Sequence, residues 1–397
     1  MLNPSASRQK IKILIQFTAP RPKVDLCKPQ VGTDIRSDSD PRKKAACNLL
    51  SVGFKMGLPR WGGAGNLGAS MKNKILVAGA GGFIGGHLVA ELLRKGHTDI
   101  RAVDIKPFDQ WYQKFPQVES VQLDLQLKDA CERAAKGAEI VYNLAADMGG
   151  MGFIELNRGL CMLSVLINTH LLMAARDAGV KRYFYASSAC VYNADKQTTA
   201  DVTGLREADA YPAMPEDGYG WEKLFSERMC RHFMEDFKLL TRVARFHNVY
   251  GPQGTYEGGR EKAPAAVCRK VITAKLSGKH EIEIWGTGDQ TRSFMYIDDC
   301  VEGIERILHS ENLTFPINLG SDEKVSINQL VDLVEDIAGI KLKRNYKLDA
   351  PKGVNGRNSD NTLIQKTLGW APNVSLRAGM EKTYKWIYDE IVKGKQH

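Results

Sequence analysis

The sequence Lys74-Ile-Leu-Val-Ala78 runs directly into Gly79-Ala-Gly-Gly82-Phe-Ile-Gly85, and this stretch decides the fold. The apolar run predicts a short buried strand, and the residues after the glycines predict a helix through about Lys95. Glycines at this spacing permit a tight turn, a close approach of a pyrophosphate to the helix N-terminus, and close packing of helix on strand. The stretch predicts a dinucleotide-binding loop, with cofactor contacts at Gly79, Gly82, Phe83, Ile84 and Gly85.

Acidic residues end the next two strands. The strand Ile100–Val103 ends at Asp104, about 20 residues past the glycines, where a carboxylate bonds the ribose diol of NAD and repels the 2′-phosphate of NADP. The strand at 118–123 ends at Asp124, which could contact the adenine end. These positions predict NAD as the cofactor, although Asp104 could also be a simple turn residue.

Strands and helices then continue to alternate along the chain. Helix 128–136, strand 140–144, helix 162–178 and strand 183–187 follow in order. This alternation predicts an α/β fold, a Rossmann-type doubly wound parallel sheet that binds ligands at the carboxyl ends of its strands.

The length of 397 residues exceeds what one hydrophobic core usually serves. We predict a disordered basic extension over residues 1–70, an NAD-binding domain over 71–250 to which later segments return, and a smaller α/β substrate-binding domain mainly over 251–397. The extension could be a transit peptide, a regulatory tail or translated upstream sequence. Its four Asp residues weaken the transit interpretation, and we favour upstream sequence.

Charge and cysteine content exclude several classes of function. The net charge is +9, but residues 1–70 contain 12 Lys and Arg against 4 Asp, so the remainder is nearly neutral and nucleic-acid binding is not expected. Eight scattered cysteines without a C-x-x-C pair favour reduced thiols in a cytoplasmic protein, and no metal site is expected. No stretch approaches the 18 or more apolar residues of a membrane span, so we expect no membrane partner.

Tyr219-Gly-Trp-Glu-Lys223 places a phenol and an ammonium on one face of a helix. A nearby positive charge favours the phenolate, which can accept the proton of an alcohol while hydride leaves the same carbon. The alternative is a surface helix whose Tyr and Lys point into water. Ser188 and Cys190, in Ser187-Ser188-Ala-Cys190-Val-Tyr192, follow the preceding strand.

Together with the glycine loop and Asn143-Leu-Ala-Ala146, these motifs resemble the extended short-chain dehydrogenase/reductase superfamily over about residues 73–390. That resemblance implies a hydride-transfer triad of Ser188, Tyr219 and Lys223, with Tyr219 and Lys223 also contacting NAD. It further implies an enzyme that acts on nucleotide-activated sugars.

A finer signature resembles the nucleotide-sugar epimerases that invert GDP-mannose at C3 and C5. It comprises residues 147–153, Cys190, 245–252, 258–265, 290–294 and 356–360. The resemblance implies that Cys190 and Lys262 are the acid/base pair and that helices near 162–178 and 224–237 form a homodimer. The substrate residues that it implies are Met148, Gly149, Ser188, Ala189, Cys190, Asn248, Glu261, Lys262, Ala263, Lys270, Gln290, Arg292 and Arg357.

Several alternatives stay open at this point. Cys190 could be a small core residue, and Lys262 a solvated loop charge. A sugar 4-epimerase would not need Lys262, and a 4,6-dehydratase would have an Asp-Glu pair where Ala189 and Cys190 stand. A non-catalytic NAD-binding regulator is a third reading. Other side chains are expected to be structural: His247, and Trp285, Trp370 and Trp386 as core residues.

Overall fold

A computed structural model describes residues 73–351 and 353–394. The predicted extension over residues 1–70 lies outside these described residues. The strands are β1 Ile75–Ala78, β2 Ile100–Asp104, β3 Glu119–Gln122, β4 Ile140–Asn143, β5 Arg182–Ser188, β6 Leu240–Phe246, β7 Val249–Tyr250, β8 Glu281–Trp285, β9 Thr291–Ser293, β10 Met295–Tyr296, β11 Ile317–Leu319, β12 Lys324–Ser326, β13 Lys343–Lys347 and β14 Gly356–Arg357.

The helices alternate with these strands. They are α1 Phe83–Arg94, α2 Lys128–Ala135, α3 Met151–Leu156, α4 Arg158–Asp177, α5 Asp217–Phe237, α6 Ala263–Ser277, α7 Ile297–His309, α8 Ile327–Ala338, α9 Thr362–Leu368 and α10 Leu376–Gly394. Helix α4 begins earlier than the sequence predicts, at Arg158 rather than at residue 162.

Seven parallel strands form the main sheet, in the order β11-β6-β5-β4-β1-β2-β3. Strand β1 lies between β4 and β2, and all four of its residues are buried. A parallel sheet covered by helices on both faces needs such continuous apolar strands. The predicted doubly wound Rossmann-type sheet is confirmed.

Three smaller sheets follow β6 in the chain. Strand β9 pairs with β12 and β14, and Arg292 on β9 stands opposite Arg357 on β14. Strand β8 pairs with β13, and β7 with β10. Strand β11 nevertheless joins the main sheet beside β6. The predicted domain boundary near residue 250 stays a prediction.

Helix α4 corrects one expectation from the sequence. Within residues 73–351 and 353–394, this 20-residue helix is long and apolar enough to cross a membrane by length and composition alone. It contacts α2 and α5, and 44% of its most apolar window is buried within the protein. Core helices meet the same criterion, so this finding is weak support for a membrane span.

Candidate active site

The loop between β1 and α1 requires glycine at the positions where its backbone segments approach each other most closely. Gly79 has a φ of 85°, a left-handed conformation that side chains disfavour. A Cβ atom on Gly85 would lie 2.1 Å from the carbonyl oxygen of Gly79. The close packing predicted between the helix start and the strand end is therefore present, and it leaves the N-terminus of α1 open to a ligand.

A groove of about 890 Å³ begins at this loop. Asp104 lies at the end of β2, where its Oδ1 accepts a hydrogen bond from the backbone of Lys106 (3.0 Å), and Asp124 makes the same contact with Gln126 (2.9 Å). A glycine cradle with carboxylates at the ribose and adenine positions fits NAD. The predicted cofactor residues all line this groove: Gly79, Gly82, Phe83, Ile84, Gly85, Asp104, Asp124, Tyr219 and Lys223.

Tyr219 and Lys223 lie on the buried face of α5, 6% and 3% exposed, so the alternative of a surface helix is wrong. Lys223 Nζ lies 5.5 Å from the centre of the Tyr219 ring. The same ammonium is 3.6 Å from the carboxylate of Glu222. Burial, together with the nearby Cys190 and Glu222, raises the pKa of Tyr219 well above its usual value. The expectation that the Lys223 ammonium favours the phenolate stays a prediction.

Ser188 and Cys190 occupy a short turn at the end of β5. The Ser188 hydroxyl accepts a hydrogen bond from the Cys190 backbone (3.2 Å), and Ala189 between them is buried. The backbone of Glu216 donates to the Cys190 carbonyl (2.9 Å). A Cβ atom on Gly220 would lie 2.4 Å from that carbonyl oxygen. The start of α5 is therefore held tightly against the turn, which brings Cys190 and Tyr219 into one buried cluster.

Charged groups surround the Cys190 thiol. The Arg357 guanidinium donates to Cys190 Sγ (3.5 Å) and to Gln197 (2.7 Å), and it lies 2.7 Å from the Glu216 carboxylate. Burial and the negative charge of Glu216 raise the pKa of Cys190 to about 11, although Arg357 opposes them. Burial alone would also raise the pKa of Glu216, but Arg357 and the Cys190 thiol bring it below its usual value.

Lys262 ends a loop that packs against residues 147–153. The backbone of Gly150 donates to the Arg260 carbonyl (3.0 Å), and a Cβ atom on Gly150 would lie 2.5 Å from the carbonyl of Glu261. Burial lowers the pKa of the Lys262 ammonium, although the negative charge of a nearby Cys190 thiolate would raise it. Lys262 also lines the groove, so it is not merely a solvated loop charge.

The remaining predicted substrate residues separate into three sets. Met148 and Gly149 lie near the thiol turn, with Met148 packed on its cluster and Gly149 under Phe153. Lys270 and Gln290 gather around Trp285, since Gln290 donates to the Trp285 carbonyl (2.8 Å) and the Lys270 ammonium lies 5.8 Å from its ring. The third set is engaged within the protein: Asn248 with Ser293, Glu261 with Arg269, and Arg292 with Val354, while Ala263 begins α6.

Comparison with known proteins agrees with this geometry. Residues 75–320 match the NAD dependent epimerase/dehydratase family. The chain belongs to that family. It is 47% identical over 327 residues to GDP-mannose 3,5-epimerase 1 of Oryza sativa subsp. japonica, covering 82% of this chain and 84% of the relative. It is 46% identical over 323 residues to GDP-mannose 3,5-epimerase of Arabidopsis thaliana, covering 81% and 84%.

A solved structure supports the same assignment. The complex of MoeE5 with UDP-glucose and NAD superimposes with a TM-score of 0.67 at 28% identity, over 80% of this chain and 100% of that one. Membership of the NAD dependent epimerase/dehydratase family confirms that the protein is an enzyme and that its cofactor is NAD. The alternative of a non-catalytic regulator is thereby set aside.

Two site residues of this epimerase/dehydratase were missed by sequence reasoning, and one was misjudged. Glu216 stands three residues before Tyr219, where an acid at a helix start is ordinary. Gln197 lies in a connection with no motif around it, yet it is buried and holds Arg357. Trp285 is 41% exposed, so its expected place in the core is wrong. His247, by contrast, is buried and hydrogen-bonded to Asn318 (3.1 Å), as expected of a structural residue.

Proposed function

We propose that the protein epimerises GDP-mannose at C3 and C5 through a 4-keto intermediate, giving GDP-L-galactose, GDP-L-gulose or both. The observation that carries this proposal is the position of Cys190 and Lys262 beside the Tyr219 end of the cofactor groove. The chain also shares 47% identity with a rice protein that is named for this activity. A plain 4-epimerase would have no use for two further acid/base groups at this point.

The ring protons at C3 and C5 are too weakly acidic to be removed at neutral pH. A ketone at C4 acidifies both, because each resulting carbanion is stabilised as an enolate. NAD, when bound, accepts the hydride of C4 and later returns it. Ser188 supplies a hydroxyl for the C4 oxygen. Tyr219 in its phenol form donates a proton to that oxygen during reduction, and oxidation uses its phenolate, whose charge the Lys223 ammonium stabilises.

Inversion of a carbon requires proton removal on one face of the ring and proton delivery on the other. The lowered pKa of Lys262 favours a neutral amine that accepts a proton. The raised pKa of Cys190 favours a thiol that donates one. The two shifts have complementary directions, since one favours a proton acceptor and the other a proton donor, and a single inversion needs both.

Positive side chains lie on one side of the thiol turn, although Arg292 and Arg357 also bond Val354 and Gln197 within the protein. Arg292 and Arg357 lie side by side on paired strands, and Lys270 stands beside Trp285. Guanidinium groups hold phosphate oxygens with paired hydrogen bonds. We assign the nucleotide and diphosphate to this side of Cys190 and the hexose to the space between Cys190, Lys262 and Tyr219.

Incubation with GDP-mannose in deuterated water tests the proposal. We expect deuterium at C3 and C5 of the product sugar, with no net formation of NADH. A product inverted at C4 without ring deuterium would instead identify a 4-epimerase. Loss of water from the sugar would identify a 4,6-dehydratase.

We also propose that the enzyme is a cytoplasmic homodimer. Helices α3, α4 and α5 expose large apolar side chains in this protomer, which are Leu156, Leu160, Met162, Leu163, Trp221 and Phe225. Patches of this kind usually mark an interface, and light scattering at micromolar concentration gives the mass that checks it.

Six free, buried cysteines among the described residues are compatible with a reducing compartment.

A further inference from the structure

Glu216 takes no part in the hydride transfer at C4 or in the proton transfers at C3 and C5, yet its carboxylate pairs with the guanidinium that contacts the Cys190 thiol. Its oxygen lies 2.7 Å from the Arg357 guanidinium, and that guanidinium donates a hydrogen bond to the Cys190 thiol (3.5 Å). The side chain is only 13% exposed. A buried carboxylate is costly to desolvate unless it is paired, so its presence here needs an explanation.

The backbone around Glu216 is fixed in an unusual way. Its N–H donates to the Cys190 carbonyl (2.9 Å), and its carbonyl accepts from Gly220 (2.8 Å). The next residue, Asp217, has a φ of 27°, which is rare for a residue other than glycine. Strain of this kind persists only where the surroundings enforce it. The main chain thus ties the position of this carboxylate to the position of Cys190.

We propose that Glu216 is a positioning residue for the acid/base group: its carboxylate holds the Cys190 thiol in the protonated form and fixes Arg357 beside it. This deepens the proposed function and rests on it. The resting enzyme then offers Cys190 as the proton donor, and Lys262 as the acceptor. In the inversion, the thiol proton moves to the enolate carbon and leaves a thiolate, whose charge Arg357 balances.

The charges around the thiol explain why Glu216 is needed. The groups that face Cys190 from the surrounding elements are Ser188, Tyr219, Lys262, Arg292 and Arg357. Two of these groups, Arg292 and Arg357, are guanidinium cations, and positive neighbours favour a thiolate. The Glu216 carboxylate pairs with Arg357, the guanidinium that contacts the thiol, so its negative charge opposes these cations. Without it, the cations would draw Cys190 toward the thiolate and remove the proton donor.

The test is the pH dependence of Cys190 modification by methyl methanethiosulfonate, which reacts with thiolates. The full-length holoenzyme is used without substrate, and the peptide that carries Cys190 is followed by mass spectrometry. Glu216→Gln should lower the pH midpoint of Cys190 modification by about one unit or more. At a pH below the midpoints of both wild type and variant, the variant should then react roughly tenfold faster. Glu216→Asp, which keeps the charge but withdraws it from the thiol, should give a smaller shift.

Asp217→Asn is the matched control, because it removes a carboxylate from the adjacent residue. That side chain is 55% exposed and pairs with Arg158 instead, so the midpoint should not move. An unchanged midpoint in Glu216→Gln, or an equal shift in Asp217→Asn, would overturn the proposal. If Glu216→Gln does not fold, the Glu216→Asp shift decides. If the reagent does not reach the thiol, the ultraviolet absorbance of the thiolate, taken against the matching Cys190→Ala protein, gives the same midpoint.

The midpoint is independent of the sugar substrate. A protein that leaves GDP-mannose unchanged yet shows the shift would refute the proposed function and keep the role of Glu216. A protein that epimerises GDP-mannose but shows no shift would keep the proposed function and refute the role of Glu216. Where both hold, the optimum of the pH–rate profile should also move to lower pH in Glu216→Gln.

Discussion

The cofactor groove and the charged cluster around Cys190 are built in different ways. The groove depends on backbone shape, since a tight glycine turn follows β1 and carboxylates follow the next strand ends. The cluster depends on side-chain charge, since Glu216, Arg357 and Lys262 come from three distant segments and meet at one thiol. The shape of the groove can be encoded by one stretch of sequence, whereas the cluster depends on a balance of charges from several segments.

This difference indicates where each region is vulnerable. At Gly79 and Gly85 in the groove, an added methyl group would meet backbone atoms, so the loop itself would have to shift. In the cluster, removal of one partner leaves another charge buried without compensation. Shape and charge also divide the chemistry, because the groove serves hydride transfer at C4 and the cluster serves proton transfer at C3 and C5.

The largest expected effect separates these two chemistries. Tyr219→Phe removes the ionisable oxygen, so no ketone forms and neither ring carbon exchanges with deuterated water. Cys190→Ala leaves oxidation possible, so transient NADH absorbance should persist while epimerisation falls. Loss of an acid/base group typically costs about 10²- to 10⁴-fold in rate. Stopped-flow absorbance and mapping of deuterium in the product check both. Near wild-type epimerisation by Cys190→Ala would make Cys190 a packing residue.

Arg357→Gln should cost the most stability, because it leaves the Glu216 carboxylate buried without its partner. Breaking a buried ion pair on one side costs about 3–5 kcal/mol. The double variant Arg357→Gln/Glu216→Gln should recover much of that loss. Urea unfolding of the wild type, the single variant and the double variant measures these changes in stability. The control is Arg94→Gln, which breaks an exposed pair with Glu91 and should change stability by no more than about 1 kcal/mol. Equal losses in the two single-site arginine variants would contradict a balance of buried charge.

Gly85→Ala tests the groove with the smallest possible change. Its Cβ would meet the Gly79 carbonyl oxygen at 2.1 Å, so the loop must shift. Overpacking of this kind costs about 1–3 kcal/mol, and we expect bound NAD to be lost as well. Gly86→Ala is the control in the same helix, because its nearest neighbour is the flexible end of Gln113 at 3.0 Å. Retention of NAD by Gly85→Ala, measured by absorbance after denaturation, would show that the close approach is not required.

The smallest expected effect is on stability at alkaline pH. The unfolded chain loses the Cys190 proton near its ordinary pKa of 9.0, whereas the folded protein keeps it until about 11. Because the folded state then binds more protons, Cys190 makes stability fall as pH rises through this window. Cys190→Ala should therefore show a shallower loss in urea unfolding over the same window. Parallel curves for the two proteins would mean that the thiol titrates normally in the folded state.

Much of the fold and the groove could be predicted because neighbouring residues encode them. The apolar run before Gly79 is a strand, Asp104 ends a strand and Asp124 follows one closely, so each motif carries its own structural context. The helix that carries Tyr219 and Lys223 was likewise predicted, but the state of Tyr219 was not. Its pKa depends on burial and on neighbours from other segments, neither of which a spacing of four residues reveals.

The amino-acid sequence by itself determined the parallel sheet, the glycine loop and the residue types that the chemistry needs. Only the tertiary structure decided that Arg357 pairs with Glu216 and contacts Cys190, that Gln197 holds this arginine, and that Trp285 is exposed. The physical reason is the range of the interactions. Strand, turn and helix preferences act over a few neighbouring residues, whereas charge balance and burial are set by groups that come together only when β9 and β14 pair beside α5.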